Sequence, residues 1–173
     1  MAKQPGPFER LSLQLLQNEG NGQYREVTPQ AGPAFEVSEV SRGAAFGDVD
    51  NDGDTDVVVF NNRGPARLLL NQVGNRHHWL GLRLLESAAG RDSYQTRVEV
   101  LGVQDKPVWR RVYTDGSYLS ASDSRIVVGL GETSGPCTVR AHWLGGPIEQ
   151  WRDLTPDRYW VLQRGGGERL PPE

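Results

Sequence analysis

The chain is 173 residues long, enough for one domain or two small ones with a buried core. Its net charge is −3 and its cations, nearly all arginine, are spread without a basic cluster, which argues against nucleic acid as a partner. No apolar run approaches the roughly 20 residues of a membrane span or resembles the apolar segment of a signal peptide. A single cysteine, Cys137, excludes an internal disulfide and a cysteine zinc site. With 21 glycines and 11 prolines, turns are frequent, as in an all-β protein.

Residues 1–10 read as a flexible N-terminus. Residues 11–16 alternate weakly and lead into Asn18-Glu19-Gly20-Asn21-Gly22, a strong turn signal; 23–28 alternate again, so 11–28 read as a hairpin. Residues 29–33 form a loop, and 34–40 lead to the first strand of an acidic unit. The β-branched run Val57-Val58-Val59-Phe60 reads as a buried strand. A turn at Asn61-Asn62-Arg63-Gly64-Pro65 then precedes a third strand over 66–70. Leu15-Leu16-Gln17-Asn18 is echoed by Leu68-Leu69-Leu70-Asn71, displaced by 53 residues, each copy on a strand that runs into a Gly/Asn turn. The echo suggests about one and a half repeats.

Between the strands of that acidic unit, Asp48, Asp50, Asp52, Asp54 and Asp56 occupy every second position, five of the chain's eleven aspartates. Like charges at that density repel one another, and a hard cation is the simplest neutraliser. Ca²⁺ suits them because it takes six to eight oxygens in a forgiving geometry. Gly53 stands where such a loop turns sharply. The expected ligands are the carboxylates of Asp48, Asp50, Asp52 and Asp56 and the backbone carbonyl of Asp54. The spacing resembles half of an EF-hand, but an EF-hand needs a Glu at the twelfth position and flanking helices. Val59 stands there, inside the strand run, so the loop joins two strands.

The second half begins near Gly74-Asn75-Arg76. Residues 77–85 have period two, 87–93 form a polar loop, and 96–103 and 108–113 are strands joined by Gln104-Asp105-Lys106-Pro107. Short strands follow at 125–130, 138–143, 148–151 and 159–162, spaced as in a small antiparallel β-sandwich or barrel. Residues 165–173, opening with three glycines, are expected to be a disordered tail.

Gly43-Ala44-Ala45-Phe46-Gly47-Asp48, the acidic loop and Asp56-Val57-Val58-Val59 together resemble an FG-GAP or VCBS-type repeat. That resemblance implies β-propeller blades with Ca²⁺ held between two strands. His78-Trp79-Leu80, Arg97-Val98-Glu99-Val100, Gly116-Ser117-Tyr118-Leu119-Ser120, Gly129-Leu130-Gly131 and Val139-Arg140-Ala141-His142-Trp143 resemble the ASPIC/UnbV domain that follows such repeats in the cartilage acidic protein-like family. Residues 11–74 would then be partial propeller repeats and 75–164 the ASPIC/UnbV-like β domain. One departure is Ser93-Tyr94-Gln95-Thr96, which stands where a Gly-containing segment is expected. A propeller also needs more blades than one and a fraction. The chain is therefore expected to be a C-terminal piece of a longer protein, or to join further blades or a self-associated oligomer.

Other chemistry has thinner support. His77 and His78 are adjacent on a strand and point to opposite faces, a poor metal pair. His142, beside Trp143, reads as packed. No nucleophile elbow supports a serine hydrolase, and no Gly-rich phosphate loop opens a helix. Trp109, Trp143, Trp151 and Trp160 lie in expected strands, where core packing is the default and a sugar platform the alternative. Arg110, Arg111 and Asp115 read as solvated strand ends. The sequence points to a Ca²⁺-stabilised, non-catalytic adhesion or protein-interaction module whose partner is a protein or glycan. The alternatives are an accessory or enzymatic protein of a bacterial biosynthetic pathway and a glycan-binding module. Ca²⁺ dependence suits an extracellular or periplasmic location.

Overall fold

A computed structural model describes residues 11–86, 89–103 and 106–171. The expected flexible N-terminus at 1–10 lies outside the described residues, as do parts of the loops expected at 87–93 and 104–107. Among the described residues the fold is all-β. The strands in chain order are β1 (Leu11–Ser12), β2 (Leu16–Gly20), β3 (Gln23–Glu26), β4 (Ser38–Glu39), β5 (Ser41–Gly47), β6 (Asp56–Asn61), β7 (Arg67–Leu69) and β8 (His78–Leu85). They continue as β9 (Arg97–Leu101), β10 (Val108–Arg111), β11 (Ile126–Gly131), β12 (Cys137–His142), β13 (Ile148–Leu154), β14 (Arg158–Gln163) and β15 (Glu168–Arg169).

In the first region β2 and β3 form the expected hairpin, turning at Asn21 and Gly22, both with positive φ. The hairpin starts at Leu16, because Leu11 and Ser12 pair instead with Glu39 and Ser38. A second sheet has the order β5-β6-β7, all antiparallel. Register puts Ala45, Val58, Leu68 and Phe60 on one face. That face is largely open: Phe60 is 51% and Leu68 50% exposed.

In the second region two sheets, β10-β9-β12-β13-β15 and β11-β8-β14, pack through one apolar cluster. Alternation does the sorting: Leu80, Leu82 and Leu84 of β8 face Val98 and Val100 of β9 and Val139 and Ala141 of β12. Two expectations need correcting here. The domain is not purely antiparallel, since β14 runs parallel to β8. One edge of β8 is already taken by antiparallel β11, and the Asp157 backbone N–H, donating to the Trp79 carbonyl at 2.7 Å, starts β14 beside the start of β8. Nor is the C-terminal segment disordered through residue 170. The Gly165 N–H donates to the buried Glu149 carboxylate at 2.9 Å, Gly167 lies against the Trp151 indole, and β15 extends the larger sheet.

At the departure noted before Arg97, Gln95 adopts φ +68 where a glycine would be at ease. Buried Ser93 and Thr96 anchor that loop through a hydroxyl–hydroxyl bond of 2.7 Å.

The two regions meet along β5. Its outer edge receives the 117–123 segment: Ala44 N–H donates to Ser117 Oγ at 3.0 Å, Phe46 N–H to Ser122 Oγ at 3.2 Å, and Asp123 N–H to the Phe46 carbonyl at 2.8 Å. Gly43 and Gly47 make that approach possible. A Cβ on Gly43 would overlap Ser120 and the Tyr118 backbone, and one on Gly47 would come within 2.9 Å of Asp123 Cβ.

Candidate functional site

The acidic loop joins β5 to β6 and is closed by the Gly47–Asp56 pair. Inside it the backbone turns through Asn51 at φ +62 and Gly53 at φ +94. The loop's own N–H groups converge on its carboxylates. Asp52 N–H donates to Asp48 Oδ1 at 3.1 Å, Gly53 N–H to Asp48 Oδ2 at 3.0 Å, and Val49 N–H to Asp56 Oδ2 at 2.9 Å. Asn71 N–H reaches Asp56 Oδ1 at 2.8 Å from the strand end that carries the sequence echo.

Asp48, Asp50 and Asp56 bring carboxylate oxygens within 4.8 Å of one another. Asp48 and Asp56 are buried and Asp50 is exposed. Asp52 and Asp54 face the segment after β7 instead: Asn75 donates its side-chain N–H to Asp52 and its backbone N–H to Asp54 Oδ2 at 3.2 Å. The other Asp54 oxygen, Oδ1, is buried with no hydrogen-bond partner. Desolvation, then the neighbouring Asp52 charge, raises the Asp54 carboxyl to about 6. Asp50 is raised as well, by desolvation and then by Asp52 and Asp56. Without a counter-charge the loop holds its carboxylates against their own repulsion. The all-oxygen donor set of Asp48, Asp50 and Asp56 fits a hard divalent cation.

What the loop rests on comes from the other region. Trp79 of β8 lies directly under Gly53, so that any Cβ there would penetrate the indole. Tyr159 of β14 packs edge-on to Trp79, with ring centroids 5.2 Å apart, and its ring covers Gly81, where a side chain would collide with it. The Tyr159 hydroxyl donates to Asp48 Oδ2 at 2.7 Å. Burial first, then that bond, holds the phenol well above its ordinary pKa, so it is a neutral donor. Arg125, at the entry to β11, stacks 4.5 Å from the Tyr159 ring centre. Its guanidinium donates to the Asp48 carbonyl at 2.7 Å, to Asn51 Oδ1 at 2.6 Å and to Asp123 Oδ2 at 2.6 Å.

The other sequence candidates are dispersed. His77 pairs with Glu132 at 3.0 Å and His78 with Asp157 at 2.8 Å, two separate carboxylates. His142 packs beside Trp109, with ring centroids 5.0 Å apart. Trp143 is buried, and Trp151 and Trp160 pack against the core. Arg110, Arg111 and Asp115 are exposed and line a cleft beside the acidic loop. Sequence reasoning missed Trp79, Arg125, Tyr159 and Asn75. The one local hint was glycine inside a strand, at Gly43, Gly47 and Gly81, which marks close approach by another group.

No curated protein matches the chain. A family model described as FG-GAP-like repeat matches residues 9–76, and one described as ASPIC and UnbV matches 86–169. The acidic loop falls in the first span, Arg125 and Tyr159 in the second, and Trp79 between them. The chain is an FG-GAP-like repeat followed by an ASPIC and UnbV domain.

Proposed function

We propose that this protein is a Ca²⁺-stabilised, non-catalytic interaction module, with residues 11–74 acting as the cation-bearing part and 75–164 as its support. The observation that carries the reading is the convergence of Asp48, Asp50 and Asp56 on one loop between two strands. FG-GAP repeats often bind Ca²⁺. Those three carboxylates would hold the ion, with Asp52 and the Asp54 carbonyl as the further ligands expected from the spacing. Bound there, it would offset the loop's negative charge and tie β5 to β6.

The open face carrying Phe60 and Leu68 is the surface this reading assigns to a partner protein or to further blades. Among the described residues no helix is long and apolar enough to cross a membrane. An extracellular or periplasmic setting, where Ca²⁺ is abundant, suits the reading. Glycan binding has one observation in its favour, the 45% exposure of Trp109. That indole is already packed against His142 and Arg97, which leaves less of it for a sugar.

Thermal melts of the chain in Ca²⁺ and in EDTA test the proposal. A cation that binds only the folded state adds about 2.7 kcal/mol at a hundredfold excess over its Kd. The midpoint should rise in Ca²⁺, and Asp50→Ala should remove that rise while leaving the EDTA midpoint nearly unchanged. Identical midpoints with and without the ion would overturn it.

A further inference from the structure

Two side chains of the ASPIC and UnbV domain grip the acidic loop at the atoms that shape its carboxylate cluster. Asp48 Oδ2 accepts from Gly53 N–H inside the loop and from the Tyr159 hydroxyl outside it. Arg125 holds the Asp48 carbonyl and the Asn51 side chain together, and so brackets the backbone that carries Asp50. Asp123 fixes the same guanidinium from behind, and the Tyr159 ring lies against it. The Asp48 carboxylate and the 48–51 backbone path are therefore set by residues more than 70 positions away in sequence.

We propose that the second domain supplies the outer shell of the cation site. Tyr159 and Arg125 are positioning residues that orient Asp48 and Asp50, and cation binding and domain docking strengthen each other. The proposal rests on the Ca²⁺ reading above and adds to it the residues that set the affinity. Partners that hold ligating carboxylates in place typically matter 10- to 100-fold in metal affinity. The reciprocity is a thermodynamic necessity: if docking tightens the ion, the ion tightens docking by the same factor.

Arg125 separates positioning from simple electrostatics by the sign of its effect. A guanidinium close to a cation site repels the ion, so on charge alone its removal would tighten Ca²⁺ binding. If Arg125 acts by holding the loop's shape, its removal weakens binding in spite of that relief. Tyr159→Phe changes no charge and keeps the ring on Trp79, Gly81 and Arg125, so it removes the hydroxyl alone.

The experiment is a Ca²⁺ titration of the metal-stripped full chain, by competition with a chromophoric chelator, at a temperature where circular dichroism shows every variant folded. Wild type, Tyr159→Phe, Arg125→Met and, as a control on the far sheet, Arg140→Met are compared. We expect Kd to rise about tenfold in Tyr159→Phe and in Arg125→Met and to stay unchanged in Arg140→Met. Wild-type affinity in Tyr159→Phe, or tighter binding in Arg125→Met, overturns this inference and leaves the Ca²⁺ reading standing. No binding by wild type overturns both.

Discussion

The two regions of this molecule are held together by different physics. In the second region, sixteen buried residues, thirteen of them on the strands of two sheets, form one apolar cluster. In the FG-GAP-like repeat, Val59 is the one buried hydrophobic among the described residues before Trp79. Its other buried side chains are charged, namely Asp48, Asp54 and Asp56. One region follows the ordinary rule that aliphatic burial drives folding. The other has a carboxylate-rich centre and borrows its packing surface from its neighbour, through Trp79 beneath Gly53 and the 117–123 segment along β5. The contrast shows how a repeat too small to bury its own core is ordered: by docking on its neighbour, to which the proposed cation would add.

The widest separation between the regions should come from cavity-forming substitutions. Leu82→Ala, at a fully buried site, is expected to cost about 2–5 kcal/mol in chemical denaturation and to lower the midpoint equally with and without Ca²⁺. Next in size is Gly53→Ala, which combines a φ of +94 with a collision against Trp79. It should cost roughly 1–3 kcal/mol and blunt the Ca²⁺ response, because loop and dock are both displaced. A melt in which Gly53→Ala keeps the full Ca²⁺-dependent rise would show that the dock does not matter to the loop. A smaller loss is expected from Gly47→Ala, which presses on Asp123 and should slacken the β5 edge; backbone hydrogen exchange at Phe46 and Asp123 measures it, and unchanged protection would break the comparison. The smallest effect belongs to Leu68→Ala on the open face, within about 0.5 kcal/mol in the isolated chain. A large loss there would mean that this face is covered in solution.

Much of this architecture is legible in the sequence, and the part that is not has a clear reason. Alternate aspartates and the β-branched run after them are local signals, so the loop and its two flanking strands can be placed from spacing alone. Period two in residues 77–85 places Leu80, Leu82 and Leu84 on one face, and they are core. The division of labour among the aspartates is less visible. Asp52 and Asp54 turn toward Asn75 because of a segment beyond β7, and nothing in the spacing announces that. The parallel placement of β14 and the ordering of residues 165–170 depend on Asp157, Glu149 and Trp151 finding partners far along the chain. Tyr159 and Arg125 escape notice for the same reason, since no motif links an aromatic near the C-terminus to a loop near residue 50.

The bond from Tyr159 to Asp48 spans 111 residues, which has a consequence for how the protein is made. At ordinary translation rates the acidic loop leaves the ribosome on the order of ten seconds before the strand that braces it exists. During that interval the loop has no hydroxyl on Asp48 and no guanidinium on its backbone, and Trp79 has not yet been framed by β14. The acidic loop is therefore synthesised well before it can be finished, and its maturation waits on a strand made 111 residues later.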